Sequence, residues 1–315
     1  MKYIKTKNII YLTVLCLFIP AVIIGCDLKY SIQKSTNLTV SGSSNFDNNS
    51  SINSLNLDID DIGAEITVIK SNESKIEYNL LNLSNEENPS FEIKDKTLFF
   101  KHKIKQHQKS SIEGLYLKIF LNTENQLDNC NININGNFNS SKEIILGNNL
   151  NITSTVGSIE IENCLSSNLN ISCNTGDIAI NGILSGDCKI STNTGSIEIE
   201  KCLSNSSIIS TTTGGIFIDD EISGNNKIST TTGSIIINKF SASNCDINAN
   251  IGDVKINSLN PLNNYNYDIA TTVGSIYIDD KIQKEGLGNH IKNNDPSKDS
   301  LNIFVNTGSI EFNTK

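Results

Sequence analysis

The chain has 315 residues, of which 37% are hydrophobic, 6% are aromatic and none is tryptophan, and its formal net charge is −9. This length accommodates one or two domains, and the composition suits a core of stacked aliphatic side chains. The acidic balance argues against nucleic acid as a partner, because a phosphate-binding protein needs a basic surface.

The first 25 residues have the pattern of an export signal. Three lysines within the first seven residues precede an apolar run over residues 9–24, which is closed by Ile23-Ile24-Gly25-Cys26. A basic segment, an apolar segment and a small residue before the cut are typical of secretory signals. The last four residues resemble the lipobox of bacterial lipoproteins, whose cysteine receives the lipid.

This resemblance predicts a lipoprotein signal peptide over residues 1–25 and membrane anchoring through a lipid on Cys26. An ordinary signal peptide and a retained transmembrane anchor are the alternatives, since about sixteen apolar residues make a marginal span. Removal of the signal's three lysines takes the net charge from −9 to −12 (−9 − 3). Residues 26–51 are rich in Ser and Asn, and they are predicted to form a flexible tether.

Residues 52–121 alternate apolar and polar side chains in several short runs. The runs are Leu55-Leu57-Ile59, Ile66-Val68, Ile76-Tyr78-Leu80, Phe91-Ile93, Leu98-Phe100 and Leu115-Leu117-Ile119-Leu121. A spacing of two predicts half-buried strands. We expect an all-β subdomain that caps the stack of repeats following it, because solenoids need atypical terminal units.

A glycine then returns every nineteen residues, each time followed by an Ile-rich phrase. The glycines are Gly157, Gly176, Gly195, Gly214, Gly233 and Gly252, and the phrase recurs out of period at Gly274 and Gly308. A fixed short period indicates stacked units that cannot bury their apolar faces alone. With the apolar spacing of two inside each unit, the period predicts a parallel β-solenoid over residues 122–315. Its coils have 19 residues, and the winding is expected to be right-handed.

Three columns of each coil are predicted to point inward. Ile occupies the position five before the glycine in all eight units, and Ile or Val the position two after it. Four after it stands Ile, or Phe312 in the last unit. The inward positions Thr192 and Ile197 are five apart, which is an odd number, so the strand must turn a corner at Gly195. Glycine can take the positive φ that such a corner needs.

The end of the array is irregular. Gly274 follows Gly252 by 22 residues, and Gly308 follows Gly274 by 34. We expect the larger insertion, about Gly286 to Asp299, to be a surface loop, and the coils to stack in chain order.

Two further segments accompany the repeats: Asp61-Ile62-Gly63-Ala64-Glu65-Ile66-Thr67-Val68 and Asp95-Lys96-Thr97-Leu98. Together with Thr-Thr-Gly-Ser-Ile-Ile-Ile, they resemble the bacterial putative adhesin family of β-strand-repeat domains of unknown function, which is related to auto-transporter adhesin head domains. The resemblance covers about Leu55 to Lys315. It implies a β-helical fold and a setting in the cell envelope, and it carries no catalytic residues over to this chain.

Cysteine and histidine give no clear site. Cys164 and Cys202 share a column but lie two coils apart, about 9.6 Å, which is beyond disulfide reach. The cysteines therefore favour small buried side chains, and a pair across one coil, such as Cys164 with Cys173, stays open. The three histidines do not have the spacing of zinc ligands, so we expect neither a metal nor another cofactor.

The outward acids raise the alternative of a polysaccharide-acting enzyme. Glu200 and Asp219 fall in one outward column of adjacent coils, and two carboxylates about 5 Å apart would suit a retaining glycosidase. Neither has a His or Arg neighbour in the repeat. Acids on a solvated strand face are therefore the favoured interpretation, and we expect no enzyme.

The position three after each glycine points outward, and two of its occupants are large and apolar. Phe217 and Ile236 belong to neighbouring coils, and Tyr277 follows later in the same column. We treat these three residues as a candidate binding patch. The sequence predicts an extracytoplasmic, lipid-anchored adhesin or binding module with an unidentified protein or glycan ligand. The alternative is a structural or stress-associated envelope protein that self-associates or contacts other envelope proteins.

Overall fold

A computed structural model describes residues 40–45, 52–80, 89–103, 115–121, 127–140 and 146–314, which all lie in one compact unit. The predicted signal peptide and Cys26 lie outside the described residues. Within those residues there is no helix of the length and apolarity needed to cross a membrane.

The described residues form a parallel β-solenoid, which confirms the predicted fold class. One 3-10 turn, Leu262–Asn264, accompanies the strands. The strands are β1 Val40–Asn45, β2 Ser54–Lys70, β3 Lys75–Leu80, β4 Ser90–Lys94, β5 Thr97–Lys103, β6 Leu115–Leu121, β7 Leu127–Ser140, β8 Leu146–Val156, β9 Ile159–Thr175, β10 Ile178–Leu184, β11 Asp187–Thr194, β12 Ile197–Cys202, β13 Ser206–Thr213, β14 Ile216–Ile222, β15 Asn225–Thr232, β16 Ile235–Phe240, β17 Asn244–Ile251, β18 Val254–Ser258, β19 Tyr265–Ile278, β20 Lys281–Lys292, β21 Asp299–Thr307 and β22 Ile310–Thr314.

The predicted inward columns form the core. Ile190, Ile197 and Ile199 of one coil are fully buried, and the corresponding side chains of the other coils are buried as well, except Ile278, which is half-buried. Every coil except that of Ile278 therefore buries three apolar side chains in these columns, at about 1.5 to 3 kcal/mol each. The strands pair parallel at a nineteen-residue offset, as between Ile190 and Ile209, so equal columns stack on one another.

The glycine corners are as predicted. Gly195 has a φ of +148°, and the other seven repeat glycines lie between +131° and +151°. A Cβ on Gly195 would collide with the carbonyl oxygen of Gly176 in the preceding coil. The contact also explains why Thr stands three residues before this glycine. Thr192 Oγ1 donates a hydrogen bond of 3.0 Å to the carbonyl oxygen of Gly176. Thr satisfies a buried acceptor that an aliphatic side chain would leave unpaired.

The coils form two ladders of strands. We call the strands that precede the corner glycines ladder A and those that follow them ladder B. In the middle of the molecule both ladders run in chain order: ladder A continues from β9 through β11, β13 and β15 to β17, and ladder B from β9 through β10, β12, β14 and β16 to β18.

At the C-terminal end, stacking departs from chain order, and that prediction was wrong. β21 pairs parallel with β17 on one side and with β19 on the other. The last strand, β22, lies likewise between β18 and β19. The corner glycines stack in the same order. A Cβ on Gly308 would collide with Gly252, and a Cβ on Gly274 would collide with Gly308. The chain thus places its last coil inside the stack.

The predicted surface loop from Gly286 to Asp299 is largely a strand. β20 extends to Lys292 and pairs antiparallel with the free edge of β19, which belongs to the outermost coil of the stack. The backbone groups that β19 exposes at the end of the stack explain this, because an unpaired strand edge is a template for another strand. The turn over residues 293–298 then returns the chain to β21.

The N-terminal end shows the same arrangement. β2 is itself a coil, with Gly63 at its corner (φ +97°), and it pairs parallel with β7 across 75 residues of sequence. Beyond β2 lie β5 and β6, which are followed outward by the antiparallel strands β4, β3 and β1. β1 was assigned to the flexible tether, and that assignment was wrong for residues 40–45, because they pair with the free edge of β3. The predicted domain boundary at residue 121 stays a prediction.

On the outer surface of the first coils, asparagine side chains of successive coils are hydrogen-bonded to each other in ladders. Asn151 donates a hydrogen bond of 2.9 Å to Asn131, and Asn170 donates one of 2.9 Å to Asn151. Asn168 bonds Asn149 in the next column in the same way, at 3.0 Å. Stacked amides pair only when equal columns face each other, so these ladders favour the observed register.

Candidate functional site

The candidate binding patch lies on the outward face of ladder B. Phe217 and Ile236 are directly paired in register, with Glu198 before them and Lys255 after them. Both apolar side chains are half-buried. Among the described strands, β14 and β16 pair only with their neighbours in the stack. Neither the N-terminal strands nor β20 pairs with them.

The ring of Phe217 lies over the backbone of Gly215. A Cβ on Gly215 would stand 2.7 Å from the ring atoms Cε2 and Cζ of Phe217. The other seven units carry Ser or Asp at this position, and the one coil with Phe three after the corner is the one with a second glycine. Gly215 thus makes room for a flat aromatic surface. The Gly214-Gly215 pair was the sequence signal for this contact, and sequence reasoning missed it.

Tyr277 does not join the patch. Because β22 is inserted, Glu311 stands between Lys255 and Tyr277 in this column, so Tyr277 is three strands from Ile236, or about 14 Å. Lys255 Nζ and Glu311 Oε1 form an ion pair of 2.7 Å, and it lowers the pKa of Glu311. Lys255 already separates Tyr277 from Ile236 in chain order, and the inserted Glu311 adds a further strand, so the inclusion of Tyr277 in the patch was wrong.

A polar groove runs along the neighbouring face, on ladder A. It has a volume of about 520 Å³ and crosses five coils between the two outward columns that precede the corners. Its rim includes Ser210, Thr212, Ser229 and Thr231, the polar residues predicted to flank the apolar pair. The patch therefore has an apolar centre on one side of the corner and a hydroxyl-rich surface on the other.

Two of the outward acids, Glu200 and Asp220, accept hydrogen bonds from donors of the same chain. Glu200 Oε2 accepts a hydrogen bond of 2.7 Å from the backbone N–H of Gly182 in the preceding coil. Next to the exposed Asp219, Asp220 accepts a hydrogen bond from Lys239, which lowers the pKa of that carboxyl, and Lys201 lies 3.7 Å from its other oxygen. Glu200 is thus held by a backbone donor, and Asp220 forms ion pairs with Lys201 and Lys239.

The described cysteines Cys130, Cys173, Cys188, Cys202 and Cys245 are buried, and no disulfide bond joins any two of them. Cys173 takes the place of the corner Thr, and its Sγ donates to Gly157 O at 3.2 Å. Burial raises the pKa of this thiol. The described ranges hold no group of three His, Cys, Asp or Glu side chains that could bind a metal ion.

Comparisons with known proteins bear on the fold described above. The model of the family called Toastrack DUF4097 matches residues 52–313. No curated protein matches the chain.

Three solved structures are similar to it. A putative adhesin from Bacteroides fragilis is 18% identical, with a TM-score of 0.44, over 71% of this chain and 98% of that one. A putative adhesin from Parabacteroides distasonis is 13% identical, with a TM-score of 0.42, over 88% and 98%. A putative cell adhesion protein from Clostridium sporogenes is 13% identical, with a TM-score of 0.22, over 88% and 100%.

Proposed function

The chain belongs to the Toastrack DUF4097 family, and from this premise we propose that it is a lipid-anchored protein of the bacterial cell envelope that binds a protein or glycan ligand, as an adhesin does. The observation that carries the proposal is the apolar pair of Phe217 and Ile236 on an outward column. Both side chains are half-buried, so part of each stays open to solvent, and neighbouring apolar side chains of this kind on a surface of polar ladders often mark an interaction site.

The geometry of the pair supports a recognition role. Phe217 is fixed against Gly215, so little side-chain freedom is lost when a ligand covers the ring. An aromatic surface flanked by hydroxyl groups is suited to protein side chains and to the apolar faces of sugars. The stacked coils hold this surface at fixed spacing, which reduces the entropic cost of binding further.

The lipid anchor rests on Ile23-Ile24-Gly25-Cys26. We expect Cys26→Ala to abolish labelling of the protein by an alkyne fatty acid fed to the producing cells, because the acyl acceptor is removed. Cys130→Ala is the matched control and should leave labelling unchanged. Equal labelling of the wild type and Cys26→Ala would contradict the anchor.

Ligand binding is tested with the full chain in detergent on arrays of glycans and matrix proteins. We expect Phe217→Ser with Ile236→Ser to lose at least tenfold of the binding to whichever probe the wild type retains, with an unchanged melting temperature. Phe304→Ser is the control, since Phe304 is 48% exposed on ladder A, away from the patch. A fall in melting temperature with unchanged binding would show that the pair serves packing.

The same double variant also tests the second candidate function, a structural envelope protein that self-associates. If the wild type binds no probe but sediments as an oligomer, and the double variant sediments as a monomer, the patch joins copies of this chain. That result would replace the adhesin proposal with the structural role.

A further inference from the structure

The row of side chains directly before the corner glycines changes character at the C-terminal end of the stack. In β9, β11, β13 and β15 the row consists of exposed Thr side chains. In the last strands it is apolar, because Ile251 is 50% exposed, Val273 44% and Leu287 80%. The register places Thr307 between Ile251 and Val273, and Leu287 beside Val273. We call these four residues the terminal ridge.

The terminal ridge is convex and uncovered at its end. It follows the corner of the coils, and Leu287 is the most exposed large apolar side chain among the described residues. Gly286 and Gly288 flank Leu287 with φ values of +105° and +67°, and no atom lies within 4 Å of the Cβ position of either. The register partners of β20 all belong to β19, so the described stack ends at this strand. Leu287 therefore projects from an uncrowded edge.

β20 is basic, although the chain as a whole carries a net charge of −9. Its three lysines and Glu285 give a net charge of +2 (+3 − 1) with His neutral. Lys292 is paired with Asp268. Lys281 and Lys284 are exposed, and no salt bridge holds either of them among the described residues.

A second exposed apolar side chain accompanies these two lysines. Ile282 is 56% exposed and lies between Lys281 and Lys284 in sequence. It is paired in register with the half-buried Tyr277, on the other side of the corner from Leu287. The strand that ends the ridge thus presents two protruding apolar side chains with two unpaired ammonium groups beside them.

This combination fits the surface of a lipid bilayer that contains anionic lipids. Apolar side chains at a membrane surface enter the boundary between headgroups and acyl chains, and lysines next to them are attracted by anionic headgroups. A second copy of β20 is a poorer partner, because it would bring the lysines of two copies together, and like charges across paired strands are destabilising.

We propose that the terminal ridge and β20 bind directly to a bilayer with anionic lipids. Leu287 and Ile282 enter the headgroup boundary, and Lys281 and Lys284 lie beside the lipid phosphates. The inference does not rest on the ligand proposed for Phe217 and Ile236. It does not rest on a lipid at Cys26 either, since its test compares two positions of the same chain on the same vesicles.

The test uses the fact that the sequence contains no tryptophan, so that one introduced Trp reports its own surroundings. The full chain carrying Leu287→Trp is transferred from detergent into vesicles of phosphatidylcholine, with or without phosphatidylglycerol. Val156→Trp is the matched control, because Val156 stands in the same row, is 42% exposed and lies on β8, far from β20.

In the vesicles with phosphatidylglycerol, we expect the emission of Leu287→Trp to shift to shorter wavelength. Lipid brominated near the headgroup should quench it about threefold more than that of Val156→Trp, because only the first side chain enters the boundary. Lys281→Glu with Lys284→Glu, added to Leu287→Trp, should abolish the shift and the quenching, since it reverses the charge that meets the anionic lipid.

Equal quenching at the two positions would overturn the proposal, as would equal quenching with and without phosphatidylglycerol. A shift that grows with protein concentration in detergent alone would show that the ridge joins copies of this chain, and it would overturn the proposal too.

A second measurement keeps the test decisive if Leu287→Trp fails to fold, as judged by circular dichroism. Hydrogen exchange of the wild type, followed by mass spectrometry, should show protection of the peptide that spans β20 on vesicles with phosphatidylglycerol and not on phosphatidylcholine alone. Unchanged exchange of that peptide would overturn the proposal without any variant.

Discussion

The middle of the solenoid and its two ends are built from the same coil but are closed in different ways. From β9 to β18 each strand pairs with the strand one coil before or after it in the chain. At the ends, β2 pairs with β7, and β21 is inserted between β17 and β19. In the middle, therefore, strands pair with strands that are near in sequence. At the ends, strands that are distant in sequence pair with each other.

The comparison explains where the chain's open edges lie. Antiparallel strands, β4 and β1 at one end and β20 at the other, form the outermost edges, and the inserted coils lie one layer inside. A coil held between two partners unfolds only if both ladders open. We infer that insertion protects the ends of a fold that would otherwise fray from its last coil.

Deletion of residues 299–315 should have the largest effect on stability. It removes the buried side chains of Leu301, Ile303, Val305, Ile310 and Phe312. At about 1.5 to 3 kcal/mol each, they contribute about 10 kcal/mol, which is comparable to the stability of a whole domain. We expect no cooperative unfolding transition by circular dichroism. A normal transition would mean that the last coil is only a terminal addition.

Gly195→Val should destabilise the middle by about 4 kcal/mol or more, since the new side chain collides with Gly176 O at a positive φ. Gly286→Val is the matched variant in the C-terminal edge. It also has a positive φ (+105°), but no atom lies within 4 Å of its Cβ position, so backbone strain alone should cost about 1 to 2 kcal/mol. Glu198→Val, on an outward column, should cost under about 0.5 kcal/mol. Urea denaturation measures all three, and equal losses would refute the corner assignment.

Asp61→Ala should weaken the N-terminal end by about 1 to 3 kcal/mol. Asp61 is buried, and its Oδ2 accepts a hydrogen bond of 2.8 Å from the N–H of Leu115 and lies 3.6 Å from Nε2 of the buried His102. The variant leaves both groups without this partner. Asp60→Ala, at an exposed neighbour, is the control and should change the denaturation midpoint little. Equal effects would show that the buried pair does not hold this end.

The smallest effect is expected for the ion pairs of β20. Lys292 Nζ and His290 Nε2 contact the carboxylate of Asp268 at 2.9 Å and 2.8 Å, and they lower its pKa in the folded state. Their contribution is therefore present above the unfolded pKa of about 3.9, and it is lost as the pH falls through the folded value. The difference in melting temperature between the wild type and Asp268→Asn should shrink from pH 7 to pH 3. A difference that does not change with pH would contradict the assignment.

The sequence was sufficient for the interior of each coil and insufficient for the order of the coils. Inward columns and corner glycines follow from spacings of two and nineteen, which only one backbone geometry satisfies. Every coil carries the same pattern, however, so the pattern does not say which coil lies beside which. This is why Tyr277 was expected two strands from Ile236 instead of three. The strand β20 was taken for a loop because it belongs to the insertion between two repeats and does not follow the repeat pattern.

The candidate site could be predicted only in part, because the repeat pattern determines which positions stack and not how their side chains pack. The pairing of Phe217 with Ile236 follows from the repeat, but the packing of the ring on Gly215 depends on side-chain direction. Contacts across the interior of a coil depend on its cross-section, which the periodicity does not determine.

Cross-linking of paired cysteine substitutions tests the stacking order most directly. Asn248 is paired in register with Phe304, and Phe304 with Ala270, all on one outward column. Asn248→Cys with Phe304→Cys should therefore form a disulfide in the folded full chain. Asn248→Cys with Ala270→Cys should not, because two strand spacings are about 9.6 Å. A bond between positions 248 and 270, with none between 248 and 304, would contradict the insertion of the last coil.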